Sequence, residues 1–91
     1  MISSEQIQTC VEVARKYGAR RLVLFGSAAE DPGKAHDIDL VCEGVEGWDV
    51  IRMGAEMEER ARALIDIVTT RPATPFTQMA LEEGTVLYES R

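Results

Sequence analysis

Three aspartates stand out by where they sit. Asp37 and Asp39 are two residues apart in Asp37-Ile38-Asp39-Leu40, and Asp66 interrupts the apolar run Leu64-Ile65-Asp66-Ile67-Val68. If His36 to Cys42 is a strand, its period of two puts Asp37 and Asp39 on one face, with Cα atoms roughly 6–7 Å apart. That spacing lets two carboxylates converge on one cation, or share a pair of cations about 4 Å apart. Ligands that are all oxygen favour hard ions, magnesium or manganese. The plainer reading is an amphipathic strand with its polar face in water. Asp66 shifts the balance. Leu64 to Val68 otherwise reads as a strand buried on both faces, where an isolated charge is costly. A metal shared with Asp37 and Asp39 on a neighbouring strand would make that charge tolerable. The alternative is an aspartate at the open end of its strand, facing water.

A further chemical element is Phe25-Gly26-Ser27, directly after the apolar run Leu22-Val23-Leu24. A Gly-Ser turn at a strand end lets backbone N–H groups approach phosphate oxygens, especially where a helical turn begins. Alone, such a pair is an ordinary turn. The information lies in the combination of strand, Gly-Ser, short loop, Asp-x-Asp strand, helix and strand aspartate.

These residues need elements to hold them, and the pattern supplies a set. Ser3 and Gln6 have capping-box spacing, and Ile7, Cys10, Val11, Ala14 and Tyr17 recur at helical spacing. A helix is predicted from about Ser4 to Tyr17, stopped by Gly18. Arg21 to Phe25 reads as a buried strand. Ser27 to Ala35 reads as a loop with a turn of helix at its start. His36 to Cys42 alternates, with Ile38, Leu40 and Cys42 on one face and Asp37, Asp39 and Val41 on the other. A second helix is expected over about Trp48 to Arg62, with Val50, Gly54, Met57 and Ala61 as its apolar stripe. Gly54 inside it costs about 1 kcal/mol against alanine, which a close helix–sheet contact would explain. Leu64 to Val68 is the third strand. Thr74 caps and Pro75 opens a short helix over Phe76 to Glu83, stopped by Gly84. Thr85 to Glu89 is a candidate edge strand. The expected class is α/β in the broad α+β sense: one domain over residues 1–91, a small mixed sheet flanked by helices in the order α-β-β-α-β-α.

The bulk numbers bound the function. With 91 residues, 45% hydrophobic and 29% charged, the chain is an ordinary small globular domain. Neither a membrane-length apolar run nor the basic and apolar regions of a signal peptide is present, which points to the cytoplasm. Cys10, Cys42 and the single His36 are too few for a zinc site of usual ligand count, so both cysteines read as core residues. The net charge of −6 and the scattered basic residues argue against a long polynucleotide partner. A nucleotide remains compatible with an acidic chain if divalent cations bridge the like charges. In so small a chain some apolar surface should remain for association. Trp48, Phe76 and Tyr88 are candidates for a homodimer or for a complex with a helical protein, or else complete the core.

Leu24-Phe25-Gly26-Ser27, then nine residues, then Asp37-Ile38-Asp39-Leu40 resembles the signature of the DNA polymerase beta-like nucleotidyltransferase superfamily. The small size is similar to its minimal nucleotidyltransferase branch. Asp66 sits where that family carries its third carboxylate, and Ala80 to Glu89 is similar to the usual family ending. The resemblance implies metal-dependent transfer of a nucleoside monophosphate, AMP from ATP, to a hydroxyl. It implies that Asp37 and Asp39 hold the ions bridging the triphosphate. Asp66 would join one ion and help deprotonate the acceptor. Gly26 and Ser27 would contact the β- and γ-phosphates. Many members of the branch are encoded beside a HEPN-domain protein, and some act as antitoxins by adenylylating a tyrosine of that partner. Glu30 and Asp31 depart from the pattern, standing where arginine and glycine are common. The departure removes an expected phosphate contact and adds negative charge, worth on the order of 1 kcal/mol in a wet site. Lys34 would compensate if the loop folds back. His36 reads as a strand-edge residue rather than a base. The alternative function is a nucleotidyltransferase-fold module that binds and neutralises a partner without chemistry.

Overall fold

A computed structural model describes residues 1–90. The elements run α1 (Ser4–Lys16), β1 (Arg21–Phe25), α2 (Ser27–Glu30), β2 (Asp37–Glu43), α3 (Trp48–Ala61), β3 (Leu64–Thr69), α4 (Pro75–Glu83) and β4 (Thr85–Glu89). The helical turn expected after Gly26 is α2, and the candidate edge strand is β4.

Local chemistry sets the boundaries. The Ser3 hydroxyl accepts from the Gln6 backbone N–H while the Gln6 side chain accepts from Ser3, a complete capping box. Thr74 and Thr77 form the same reciprocal pair at the head of α4, with Pro75 in its first turn.

The strands form one sheet in the order β3-β2-β1-β4. β1 pairs antiparallel with β2 and with β4, whereas β2 and β3 run parallel. A parallel pair needs a crossover, and α3 provides it. One sheet face packs on α1 and α3, burying Leu22, Leu24, Ile38, Leu40, Cys42, Met53 and Met57 in a cluster that takes in Cys10 and Val13. The opposite face carries a smaller cluster in which Val23 and Val41 meet Ala80 of α4, with Phe25 and Leu81 against it. The alternation read in β2 therefore holds, with Ile38, Leu40 and Cys42 in the large cluster and Val41 in the small one. Both cysteines are buried, which pushes their thiols up to about 11.

Two expectations change. The α3 stripe is Met53, Met57 and Ala61, with Val50 only half-buried; Gly54 lies beside it, where a Cβ would meet Ile67 Cδ1 at 3.4 Å, the close helix–sheet contact anticipated. The strand around Asp66 is not buried on both faces. β3 is an edge strand, Leu64 is 68% exposed and Asp66 is itself exposed. A strand with only one neighbour and α3 on only one side leaves its other face to solvent.

Candidate active site

Asp39 sits at the centre of the carboxylate face. Its register partner on β1 is Phe25 and its partner on β3 is Asp66. Paired residues project to the same side of a sheet, so Asp66 stands beside Asp39, and Asp37 follows two residues along the same face. The three aspartates come from two parallel strands whose adjacency the sequence does not state.

Their environments differ. Asp37 and Asp66 are exposed, whereas Asp39 is half-buried. Burial raises the Asp39 carboxyl above its ordinary value, and the charges of Asp66 and then Asp37 raise it further. The costly carboxylate of the site is therefore Asp39, not Asp66. The reasoning that made Asp66 a buried charge fails because β3 lies at the sheet edge; its place beside Asp39 is what singles it out.

Gly26 forms the wall next to Asp39. Its φ is 72°, and a Cβ there would lie 2.6 Å from Asp39 Oδ2. Any other residue would be strained in that left-handed backbone and would collide with the carboxylate. Glycine thus brings the strand end and the Asp39 carboxylate together. Ser27 follows, exposed, at the start of α2. Glu30 and Asp31 are exposed too, and Lys34, also exposed, makes no ion pair among the described residues. His36 is exposed and precedes β2 by one residue.

Across Gly26 from the carboxylates, α2 and α4 enclose a cavity of about 390 Å³. Phe25, Ala29, Glu30, Phe76, Met79 and Glu83 contribute to its lining. Phe76 lies edge-on to Phe25 with ring centroids 5.4 Å apart. The sequence marks Phe76 only as a candidate partner anchor; Met79 and Glu83 carry no signal beyond a helical spacing. Of the other two aromatic candidates, Trp48 is 74% exposed, while Tyr88 packs on the core with the Arg15 guanidinium over its ring.

The metal implied by the resemblance can be tested on the donor set. The carboxylates offer only oxygen, share one face and repel one another at Asp39, a charge pattern that a hard divalent cation relieves. They do not form a ready-made cage: among the described residues no group of three or more His, Cys, Asp or Glu side chains is gathered closely enough to hold a metal ion. Magnesium is commonly held by one or two carboxylates together with substrate phosphates and water, rather than by an all-protein cage. The residues fit that mode.

No family model and no curated protein sequence matches the chain. Solved structures do. A provisionally assigned minimal nucleotidyltransferase is 27% identical, with a TM-score of 0.71 over 89% of this chain and 87% of that one. A toxin–antitoxin complex with AMP-PNP matches at 15% identity and TM-score 0.76, over 92% of this chain and 73% of that one. A complex of a tri-AMPylated Shewanella oneidensis HEPN toxin with an MNT antitoxin matches at 16% identity and TM-score 0.69, over 93% and 73%. The chain has the nucleotidyltransferase fold, and the likeness to minimal nucleotidyltransferases read from its motifs is present in three dimensions. Among the described residues no helix is long and apolar enough to cross a membrane.

Proposed function

We propose that this chain is a metal-dependent nucleotidyltransferase that moves AMP from ATP to a hydroxyl, with a tyrosine of a HEPN-type partner as the acceptor. The observation that carries the reading is the register of Asp39 against Asp66, with Asp37 on the same face and Gly26 against the Asp39 carboxylate. In this reading Asp37 and Asp39 would hold magnesium or manganese, and Asp66 would join one ion. The metal, when bound, neutralises phosphate charge and stabilises the leaving pyrophosphate. The exposed Gly26-Ser27 turn offers backbone N–H groups and a hydroxyl to the outer phosphates. The acceptor oxygen forms a bond to the α-phosphorus, the bridge to the β-phosphate breaks, and pyrophosphate leaves. Exposed and beside Asp39, Asp66 can take the acceptor's proton. The solved neighbours with AMP-PNP and with an AMPylated HEPN toxin support the choice of nucleotide and partner.

The second reading, a module that binds and neutralises its partner without chemistry, is favoured by Glu30, an exposed acid in the turn expected to meet phosphate. Label transfer from α-labelled ATP to a co-expressed HEPN protein separates the two. Transfer by the wild type that disappears in Asp37→Asn plus Asp39→Asn supports the enzyme. Tight partner binding with no transfer at any manganese concentration supports the module.

A further inference from the structure

We propose that the outward face of α3 is a self-complementary docking surface, on which a second copy of this chain seats its own α3 in antiparallel order. This surface is separate from the carboxylate site and does not rest on the chemistry proposed for it.

The fold leaves one helix face without a partner. Met53, Met57 and Ala61 bury one side of α3 in the large cluster. At about 100° per residue, Trp48, Ile51, Arg52, Ala55, Glu59 and Arg62 fall on the opposite side, and all six are exposed. Trp48 is 74% exposed and Ile51 61%. Single apolar side chains in water are ordinary, but these two and Ala55 follow one another at helical spacing along a ridge. Ile51 and Ala55 also border a groove of about 320 Å³, with Val50, Gly54, Ile65 and Ile67 along it. The groove does not invite an added strand, because the Ile65 N–H beside it already donates to Glu58 at 3.1 Å. A ridge next to a groove fits a helix.

Charge decides which helix. Arg52 and Glu58 each lie three positions from Ala55, and Trp48 and Arg62 each lie seven. Two α3 helices crossing antiparallel at Ala55 therefore set Arg52 of each copy across from Glu58 and Glu59 of the other. They also set each Trp48 indole beside the other copy's Arg62, where the guanidinium can lie over the ring. Both contacts occur twice, as a two-fold interface requires. Glu58, Glu59 and Arg62 make no ion pair among the described residues, and Arg52 makes only an exposed one with Asp49 at 3.4 Å. Parallel order would instead set Arg52 against Arg52 and Glu59 against Glu59, like charges together. Ala55, the smallest side chain on the face, lies where the two backbones come closest. The face packs no part of the sheet that carries the aspartates, since Ile38 and Leu40 meet α3 from the opposite side of β2, so both copies keep their carboxylates open. α3 has 14 residues and is about 21 Å long, which puts the contact at the small, weak end of specific interfaces.

The test is sedimentation velocity on the full chain from about 1 μM to about 1 mM, the range in which a weak dimer dissociates. Wild type should shift from the mass of one chain to that of two, and high salt should move the shift to higher concentration. Trp48→Ala should weaken association at least about tenfold with an unchanged melting curve, since the indole is exposed. Arg52→Glu and Glu59→Arg should each be monomeric alone and should pair when mixed, because positions 52 and 59 then carry opposite charges at both crossings. That rescue separates a lost contact from a damaged fold. A wild type that stays monomeric to about 1 mM overturns the proposal and leaves the face to a different protein. So does a dimer unaffected by Trp48→Ala, or a mixture that associates no better than either charge variant alone.

Discussion

The two faces of the sheet treat charge in opposite ways. Between α1 and α3 a network of opposite charges bridges the helices: Lys16 meets Glu56 at 2.9 Å, and Arg60 reaches both Glu56 and Glu12. Tyr17 also donates to Glu56, whose carboxyl is lowered below its ordinary value, first by the Lys16 hydrogen bond. On the other face Asp37, Asp39 and Asp66, with Glu30 and Glu83 nearby, have no ion-pair partner among the described residues. The first face is arranged for the fold. The second holds like charges together without compensation, an arrangement that weakens a fold unless a ligand supplies the missing positive charge.

The strongest way to break this contrast is through chemistry. Replacing Asp37 and Asp39 by asparagine should lower AMP transfer at least about a hundredfold, measured by label transfer, while the metal-free melting temperature stays level or rises. Retained transfer would show that the uncompensated face is not the site.

Gly26→Ala is next in size. It forces alanine into a left-handed backbone and drives its Cβ into Asp39, at an expected cost of about 2–3 kcal/mol in denaturant unfolding. Gly54→Ala is the control. Its Cβ would touch only a flexible Ile67 methyl, and the helix propensity gained offsets the contact, so it should be near neutral. Equal losses at both glycines would refute the account of Gly26.

A smaller effect separates Asp39 from Asp66 without metal. Because the folded-state value of Asp39 is raised, its contribution is fully present below the unfolded value, about 3.9, and is lost as pH rises through the raised value. Asp39→Asn should therefore be more stable than wild type at pH 7, by less than about 1 kcal/mol after solvent screening. The gap should close below about pH 4. Manganese with a triphosphate should reverse the order. Asp66→Asn, at an exposed edge position, should stay within about 0.5 kcal/mol of wild type yet lose transfer. A clear stabilisation by Asp66→Asn that exceeds Asp39→Asn would invert the assignment.

The smallest effect lies on the paired face. The lowered Glu56 carboxyl contributes stability above the ordinary glutamate value, lost as pH falls through the lowered one. Glu56→Gln should cost little at pH 7, less still in high salt, and nothing in strong acid. An effect insensitive to salt would mean that Glu56 acts by packing.

What the sequence determined by itself was the local structure. Capping boxes at Ser3 and Thr74, a period of two around Ile38 and Leu40, and glycines after Tyr17 and Glu83 are each set within a few residues. They place nearly every element within one or two positions. The Gly26-Ser27 turn and the two aspartates of β2 were legible for the same reason. Only the tertiary structure decided which strand lies at the edge. Leu64-Ile65-Asp66-Ile67-Val68 has the composition of a central strand, but it has one neighbour, and its second face is open to solvent. Burial is a property of what packs against a residue, so the carboxylate most shifted by its surroundings is Asp39, between β1 and β3, rather than the one set among four apolar residues. The cavity of Phe25 and Phe76 has the same origin: its two walls are 51 positions apart (76 less 25) and meet only because α4 returns across β1.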